Sequence, residues 1–376
     1  MQTQIDSNEQ DVSNFTDFTT LLYPPQFAAD CLGLTTRRLK DIEEENDIQI
    51  RRVPRGTVTS RAYTLSDIFT IASVRRAKGH TKSLPRQVRL STFVQKGGTG
   101  KTTYTVNFAI YAQFCGHRTL VVDNDPQGDT SSVFGYDPDL ELEDLADMGI
   151  PADRHVNGHL GNLLSPDLRV RCFEEKSFDQ IVKKPFGEHG PHLIPADAYL
   201  DDLAVALDAE NNSDFWYASW LERAINGEIN GLDLSSYDII IFDNAPTASR
   251  LTKNSIVASD FVICPVRMDK FSFRALNRLS DWMVRFSKAY RRSPGVLAVP
   301  TMFIRNRKRI MANLMLLNDL FPGRVTDEKL YYSEDYGKAL DLGIPLIVWK
   351  GASSKTIEAM RMVFSETLSR IKNLVL

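Results

Sequence analysis

The sequence predicts an α/β protein in which a doubly wound, mostly parallel sheet follows a small N-terminal winged helix-turn-helix domain. From residue 88 onward, apolar runs typical of buried strands alternate with helical segments, and such strands are typical of a parallel sheet covered on both faces. Between residues 24 and 80 two short helices, a basic hairpin and a third helix follow one another, which is the outline of a winged helix.

The composition is that of a globular protein with room for two domains. Of the 376 residues, 43% are hydrophobic and 25% are charged, and the net charge is −3, so the whole chain is not an obvious binder of polyanions. Residues 31–90 are nevertheless rich in Arg and Lys, which indicates a local nucleic-acid surface. We predict an acidic polar segment over 1–23, with at most one helix, the winged helix over 24–80, a linker over 81–87 and the α/β domain over 88–376.

The four cysteines lie far apart in the sequence and form no C-x-x-C pair. Neither a zinc site nor a disulfide framework is therefore indicated, and reduced thiols fit a cytoplasmic protein. No apolar signal core or membrane-spanning run is present, so we predict no membrane partner.

The N-terminal elements are predicted from their spacing and their capping residues. Helical spacing covers 24–34, a second helix covers 37–46 with Thr35 as its N-cap, and a hairpin covers 48–65. A third helix follows over 66–80, which we expect Ser66 to cap and Gly79 to end.

The α/β region carries five predicted strands and five predicted helices. The strands cover 88–95, 118–123, 236–243, 261–266 and 295–303. The helices cover 102–116, 273–290, 309–321, 333–343 and 353–374. Residues 137–200 give no clear pattern.

A glycine-rich stretch, VQKGGTGKTT at 94–103, follows the first of these strands and opens a helix. Its glycines let backbone N–H groups turn toward an anion, and the helix adds the positive end of its dipole. Lys101 would reach the β- and γ-phosphates and Thr102 would ligate Mg²⁺. A glycine-rich turn with an incidental lysine is the alternative. The position between strand and helix favours a nucleotide site formed by Lys96, Gly97, Gly98, Thr99, Gly100, Lys101, Thr102 and Thr103.

Three acidic side chains lie at the carboxyl ends of two further strands. VVDNDPQGD supplies Asp123 and Asp125, and IIIFDNAP supplies Asp243. Ligands of open α/β sheets bind at this edge, and carboxylates there can hold Mg²⁺ through its waters. A single such Asp is commonly a helix cap or turn former, whereas three beside a phosphate loop indicate a metal-nucleotide site.

The three motifs, in this order and spacing, resemble those of the ParA/MinD family of ATPases. KGGTGKTT is similar to the deviant Walker A motif, DNDPQGD to switch I and FDNAP to Walker B, and PVRMDKFSFRAL (265–276) is similar to the segment after the next strand. The resemblance covers about 88–376. The N-terminal region, with RAYTLSDI at 61–68, resembles that of the long plasmid-partition ParA proteins.

This resemblance implies Mg²⁺-dependent hydrolysis of ATP to ADP by a homodimer that encloses two nucleotides. Lys101 would act within its own subunit, and Lys96 would reach across the interface to the phosphates of the partner subunit. A second cation there offsets charge on the γ-phosphate, as an arginine finger does. Asp125 would orient the attacking water, while Asp123 and Asp243 would hold Mg²⁺ through water.

The chain departs from the family pattern at three places. Asn124 stands where an apolar residue is usual, Asp129 where Asn is common, and Asn244-Ala245-Pro246 where a Pro-Pro ending is more usual. None of these departures removes a functional group, so we expect them to affect kinetics more than function.

Basic residues predict contacts with operator DNA in the winged helix. The recognition helix would use its N-terminal part on base edges and the wing would bind phosphates. A solvated basic face is the alternative. The predicted contacts are Thr35, Thr36, Arg37, Arg38, Lys40, Arg51, Arg52, Arg55 and Arg61.

A second basic set lies in the α/β domain, and the resemblance implies that it binds DNA without sequence preference. Such binding rests on phosphate contacts and weakens steeply with salt. Solvated charge is again the alternative, and Arg305 and Asn306 directly follow a strand, where they could contact the adenine instead. The remaining members of the set are Lys288, Arg291, Arg292, Arg307, Lys308 and Arg309.

The resemblance implies a plasmid-partition ATPase that is nucleoid-associated, is stimulated by a ParB-like centromere-binding partner and represses its own operon. A nucleotide-regulated transcriptional repressor without a segregation role shares every motif. A MinD-like membrane regulator would need a basic amphipathic C-terminal helix, and SETLSRIKNLVL has few basic residues. A metabolic P-loop enzyme would need an acceptor pocket, which no motif marks.

Overall fold

A computed structural model describes residues 16–170, 172–269 and 273–375 of the chain. Residues 1–15 of the predicted acidic segment lie outside the described residues. The N-terminal part contains helices α1 (Pro25–Leu32) and α2 (Thr36–Glu45), antiparallel strands β1 (Arg52–Arg55) and β2 (Val58–Arg61), and helix α3 (Leu65–Ala77).

The N-terminal caps show which local signals determine these helices. Thr35 caps α2 as predicted, since its side chain accepts a hydrogen bond from the Arg38 N–H at 3.2 Å. The prediction that Ser66 caps α3 is wrong. Thr64 does so in a capping box, in which Thr64 Oγ1 accepts from Asp67 N at 3.1 Å and Asp67 Oδ2 accepts from Thr64 N at 2.8 Å. The Thr-x-x-Asp spacing allows this reciprocal pair, whereas Ser66 already lies in the first turn.

A six-stranded, entirely parallel sheet forms the centre of the α/β domain and confirms the predicted fold class. Its strands run in the order β5–β4–β6–β3–β7–β8. Strand β5 was not predicted, because three residues within an irregular segment give no periodic signal. The strands are β3 (Val88–Thr92), β4 (Thr119–Asn124), β5 (His192–Ile194), β6 (Ile239–Asn244), β7 (Phe261–Arg267) and β8 (Gly295–Thr301).

Helices cover both faces of this sheet. The five predicted helices correspond to α4 and α12–α15. The helices that lie between them in the chain, α5–α11, were not predicted. No helix within the described ranges is long and apolar enough to span a bilayer. The helices are α4 (Lys101–Phe114), α5 (Asp129–Val133), α6 (Leu142–Asp147), α7 (Leu160–Leu164), α8 (Phe178–Ile181), α9 (Leu200–Asp208), α10 (Trp216–Ile225), α11 (Arg250–Ala258), α12 (Phe273–Tyr290), α13 (Lys308–Leu320), α14 (Asp335–Asp341) and α15 (Ser354–Val375).

The N-terminal elements pack directly on the α/β domain. The Phe69 ring of α3 stacks on Phe114 at the end of α4, with ring centroids 4.8 Å apart, and Arg76 forms an ion pair with Asp238. Leu84, inside the predicted linker, is buried in the same core cluster. One continuous apolar core therefore joins the two predicted domains, and α4 connects the phosphate loop to it.

Candidate functional site

The loop between β3 and α4 has the backbone of an anion cradle. Gly98 and Gly100 adopt positive φ angles of 65° and 90°, a left-handed conformation that side chains with a Cβ rarely adopt. A Cβ added at either glycine would meet nothing within 4 Å, so backbone conformation, not crowding, requires glycine here. Gly100 is the N-cap of α4, and the positive end of the helix dipole lies at this loop.

A cavity of about 660 Å³ lies against the loop, within the usual size range of small-molecule sites. The loop residues Gly97–Thr103 and the acids Asp125 and Asp129 line one part of it, and Tyr336 and Ile344 line an apolar part. A charged group and an apolar group can therefore be accommodated together. Lys96, half-buried at the start of the loop, is not among the lining residues.

Two side chains from neighbouring strands hold the loop in place, and sequence reasoning missed both. Arg267 Nη1 donates to the Gly98 carbonyl at 3.0 Å, and Thr301 Oγ1 donates to the Thr99 carbonyl at 3.2 Å. Each is the last residue of its strand, β7 or β8. Their position at the carboxyl edge of the sheet was the signal that could have identified them.

The carboxylate of Asp243 is surrounded by hydroxyl groups, one of which belongs to the cavity-lining Thr102. The carboxylate accepts hydrogen bonds from Thr102 Oγ1 at 2.8 Å, Thr105 Oγ1 at 2.9 Å and Thr130 Oγ1 at 2.7 Å. Only 1% of the residue is exposed, and this burial raises its pKa while the hydroxyl donors oppose the shift. Thr105 and Thr130 were not predicted.

Asp123 lies beside Asp243 on the adjacent strand. It is fully buried and accepts from Ser131 N at 2.8 Å and Ser131 Oγ at 2.7 Å. Burial, and then the charge of Asp243, raise the pKa of Asp123 well above its usual range. Two such carboxylates cost stability when both are ionised, and a divalent cation between them would offset that cost. Carboxylate and hydroxyl oxygens are the donors that Mg²⁺ prefers, so Asp123, Asp243 and Thr102 fit this ion.

The cation at the start of α4 is Lys101, which lines the cavity and is 8% exposed. Burial lowers its pKa, whereas the charges of Asp243, Asp125 and Asp129 oppose that shift. Burial also raises the pKa of Asp129. The fold thus brings Lys101, Thr102 and Asp125 to one cavity, with Asp243 hydrogen-bonded to Thr102 and Asp123 beside Asp243. The motifs alone suggested this proximity only by their order.

Two of the departures from the family pattern contact each other. Asn124 Nδ2 donates to Asn244 Oδ1 at 2.8 Å across β4 and β6. Tyr217 OH donates to Asn124 Oδ1 at 2.9 Å, and Ser255 Oγ donates to Asn244 Oδ1 at 2.6 Å. These buried groups form a hydrogen-bonded network, which we call the amide pair network. It fixes the backbone on which Asp123 and Asp243 are carried.

Replacing Asn124 by leucine, the kind of residue the family pattern favours, is expected to destabilise this protein by about 1–3 kcal/mol. Leucine leaves the buried Tyr217 hydroxyl without its acceptor, and an unpaired buried polar group costs about that much. Urea denaturation measures the change. Asn318→Leu is the matched control, since Asn318 is exposed on α13 and such positions usually change stability by about 0.5 kcal/mol or less.

A second substitution tests whether the destabilisation comes from the lost hydrogen bond or from the change in side-chain volume. Tyr217→Phe removes the other half of the same hydrogen bond, so Asn124→Leu and Tyr217→Phe together are expected to cost less than the sum of the two single changes. Strict additivity of the two free energies, or equal denaturation midpoints for Asn124→Leu and the wild type, would contradict the network.

The predicted operator contacts differ in their surroundings. Arg37, Arg51 and Arg52 are exposed and, within the described part of the chain, form no ion pair. Arg38 and Lys40 pair on the surface with Glu45 at 2.7 Å and Glu44 at 3.2 Å.

Arg61, another predicted DNA contact, already has a partner within the protein. Its half-buried guanidinium pairs with Glu43 at 2.6 Å and so ties the hairpin to α2. Thr35 and Thr36 begin α2, and Thr35 uses its side chain as the cap. The side chain of Arg55 lies outside the described part of the structure.

The second basic set is divided between two edges of the sheet. Lys288, Arg291 and Arg292 precede β8, whereas residues 305–309 follow it. A seven-residue strand separates its ends by about 20 Å. The structure therefore does not bring the set together.

The later part of that set shares the carboxyl edge with the phosphate loop. Arg307, Lys308 and Arg309 are exposed there. The Arg305 guanidinium lies over the Tyr331 ring at 4.6 Å. Neither Arg305 nor Asn306 lines the cavity. The residues that form the cavity therefore do not support the predicted contact of Arg305 and Asn306 with adenine.

The fold and the site define a P-loop ATPase of the ParA/MinD type. The family of AAA domains matches residues 89–293, more than half of the chain, and the chain belongs to this family. The resemblance deduced from the motifs is confirmed by curated relatives of the ParA and Soj kind.

Two of these relatives show the level of sequence identity and the length of the match. The chromosome-partitioning ATPase Soj of Treponema pallidum is 28% identical over 191 residues, 51% of this chain and 61% of that protein. The match thus spans less than two thirds of Soj. A ParA family protein of Chlamydia pneumoniae is 25% identical over 274 residues, 72% of this chain and 92% of that protein.

Solved structures agree with the fold. Cobyrinic acid a,c-diamide synthase of Mycobacterium smegmatis, with a bound ATP analogue and magnesium, has a TM-score of 0.56 at 19% identity, over 76% of this chain and 96% of that one. A plasmid partition protein of Borrelia burgdorferi has a TM-score of 0.53 at 18% identity, over 76% and 99%. At these identities the likeness concerns the fold alone.

Proposed function

We propose that the protein is a Mg²⁺-dependent DNA-partition ATPase of the ParA type that segregates a plasmid. One observation carries the proposal: Lys101 and Thr102 line the cavity at the glycine-rich loop, Thr102 is hydrogen-bonded to the buried Asp243, and Asp123 lies beside Asp243 on the adjacent strand. The chromosome-partitioning role named for the Treponema relative supports partition, and the ATP analogue and magnesium bound to the Mycobacterium neighbour support ATP with Mg²⁺.

Substrate binding follows from the geometry of the loop. The N–H groups of the loop and the N-terminus of α4 surround the β- and γ-phosphates, while Lys101 adds a desolvated positive charge. Thr102, Asp123 and Asp243 would hold Mg²⁺, which would neutralise part of the triphosphate charge. Arg267 and Thr301 keep the loop backbone in its binding conformation through their hydrogen bonds to Gly98 and Thr99.

Hydrolysis requires a water molecule in line with the γ-phosphate. It also requires positive groups that compensate the negative charge of the γ-phosphate. Asp125, half-buried at the cavity, positions that water. Lys96 starts the loop outside its own cavity and completes the site of a partner subunit in an ATP-bound dimer. Intrinsic turnover is consequently slow, because part of the charge compensation depends on assembly. A ParB-like centromere-binding partner stimulates the step and releases the dimer from the nucleoid.

Light scattering with no nucleotide, with ADP and with ATP tests this proposal, repeated in the presence of non-specific duplex DNA. We expect a dimer only with ATP, and DNA binding only by that dimer, with an affinity that falls steeply as salt rises. A protein that stays monomeric with ATP under all these conditions would contradict the partition mechanism.

Lys96→Ala is expected to lower dimerisation and hydrolysis roughly tenfold or more while ATP binding by the monomer stays within about twofold. The reason is that the lost charge contact, about 1.5–3 kcal/mol, exists only across the interface. Equilibrium binding of a fluorescent ATP analogue at low protein concentration measures the monomer, and light scattering measures the dimer. A parallel loss of monomer binding would place Lys96 in its own site.

We also propose that the winged helix binds the operator of the protein's own gene. Arg37→Ala together with Arg38→Ala should reduce operator affinity by roughly tenfold to 100-fold, as expected for lost base contacts, and leave ATP hydrolysis unchanged. Footprinting and filter binding measure this. Arg324→Ala with Lys355→Ala is the matched control, because it removes the same charge from two exposed positions that are not predicted DNA contacts. Equal operator affinity of both double variants would favour a solvated basic face.

A nucleotide-regulated repressor without a segregation role is the second candidate. The observation that favours it is the contact of Phe114, at the end of α4, with Phe69 of α3. Helix α4 begins at the phosphate loop, so nucleotide binding has a direct structural connection to the winged helix. Footprints that differ between ADP and ATP, without loss of the plasmid in cells lacking the protein, would select this role.

A further inference from the structure

A second concave surface lies between the N-terminal elements and the α/β domain. It encloses about 550 Å³ and is formed by α1 and α3 on one side and by α4 and α15 on the other. Four cationic side chains line it: Arg75, Lys82, Arg361 and Lys372. We call this surface the basic groove.

Within the described part of the chain, the positive charge of the basic groove is only partly offset by acidic side chains. Asp30 is the one carboxylate among the described lining residues, and its Oδ1 accepts from Gln26 Nε2 at 2.7 Å. None of the four cations forms an ion pair with any described residue. Arg75 Nη1 donates to the Leu32 carbonyl at 2.8 Å, and Arg361 Nη2 contacts Cys31 Sγ at 3.5 Å. Among the described lining residues, four cations against the single carboxylate of Asp30 leave three positive charges in excess.

Unsatisfied polar atoms border the same surface. His117, 1% exposed, has no hydrogen-bond partner for Nδ1 among the described residues, and neither has Thr81 for Oγ1. Burial, then the charge of Lys372, lower the pKa of His117 to about 4, so the ring is neutral at pH 7 and adds no charge. Buried polar atoms of this kind are uncommon, and a ligand or ordered water normally satisfies them.

The remaining lining residues indicate the kind of ligand. Ser365 and Ser369 offer hydroxyl groups, and Tyr111 and Leu368 offer apolar surface. The volume is that of a small-molecule site, and planar guanidinium groups match phosphate oxygens. We propose that the basic groove binds a small phosphorylated molecule of at least three negative charges. Because the ligand would contact α3 and α15 together, it would fasten the N-terminal elements to the α/β domain.

Tripolyphosphate is the probe, titrated by calorimetry into the full chain carrying Lys101→Ala, which weakens the phosphate loop site. Binding is expected to raise the thermal midpoint. Lys82→Ala and Lys372→Ala should each weaken it roughly fivefold to tenfold, as for loss of one charged hydrogen bond. Lys355→Ala, which removes an exposed lysine from the same helix α15, should leave affinity unchanged.

Two results would overturn the proposal. The first is equal tripolyphosphate affinity in Lys82→Ala, Lys372→Ala and Lys355→Ala, which would mean non-specific attraction. The second is that these groove lysines affect binding of duplex DNA but not of tripolyphosphate, which would assign the groove to the DNA backbone. Failure of the ATPase proposal would leave these comparisons intact, because they depend only on groove residues and their control.

Discussion

Replacing Lys101 by alanine is expected to reduce ATP affinity by at least about 100-fold. Lys101 as a residue is 8% exposed and lines the cavity together with the glycine-rich loop, where water screens its charge poorly. Losing a charged partner for two phosphates corresponds to about 3 kcal/mol or more. Calorimetry with ATP and Mg²⁺ measures the effect, and retained affinity would refute the phosphate-loop assignment.

The stability of the Lys101→Ala variant distinguishes a binding role from a structural one. Burial lowers the pKa of this lysine, so the folded state disfavours the charged form, and this cost is present throughout the pH range below the folded pKa. Removing the charge should leave the thermal midpoint of the nucleotide-free protein unchanged or higher. Lys96→Ala serves as the control from the same loop, with nearly normal ATP binding by the monomer. A lower midpoint for Lys101→Ala would mean that this lysine stabilises the fold.

Asp125→Ala is expected to slow ATP hydrolysis by roughly 100-fold or more while ATP-dependent dimerisation persists. The carboxylate lines the cavity beside the loop, and its Oδ1 accepts from Gln127 N at 3.1 Å, an arrangement that fixes it for orienting water. Loss of a positioned group of this kind typically costs 10²–10⁴ in rate. Single-turnover phosphate release measures the chemical step, and light scattering measures the dimer.

The matched control for this substitution is Asp139→Ala, which removes an exposed carboxylate a few residues further along. It should leave both hydrolysis and dimerisation unchanged. If Asp125→Ala hydrolyses ATP at the rate of the Asp139→Ala control, Asp125 does not position the water. If it fails to dimerise with ATP, its role is in nucleotide binding or assembly.

The sequence alone predicted local structure best where the signal lies in one continuous stretch of chain. The loop 94–103 combines the required glycines, the lysine and the helix start within ten residues, and Gly98 and Gly100 adopt positive φ angles there. Helix α12 begins and ends at the predicted residues, because its apolar spacing continues over five turns. Strands β4 and β6 were predicted to end at Asp123 and Asp243, and each extends one residue further, to Asn124 and Asn244.

Contacts between segments distant in sequence were decided only by the tertiary structure. Asn124 and Asn244 are single unexpected residues in two motifs, and only the pairing of β4 with β6 makes them hydrogen-bond partners. Arg267 becomes part of the loop because β7 lies beside β3. The packing of α3 on α4 was likewise decided by the tertiary structure. Apolar spacing shows that a helix has a buried face but not which element that face packs against. Local patterns encode what one segment can do, whereas the pairing of strands and faces depends on burying the whole core at once.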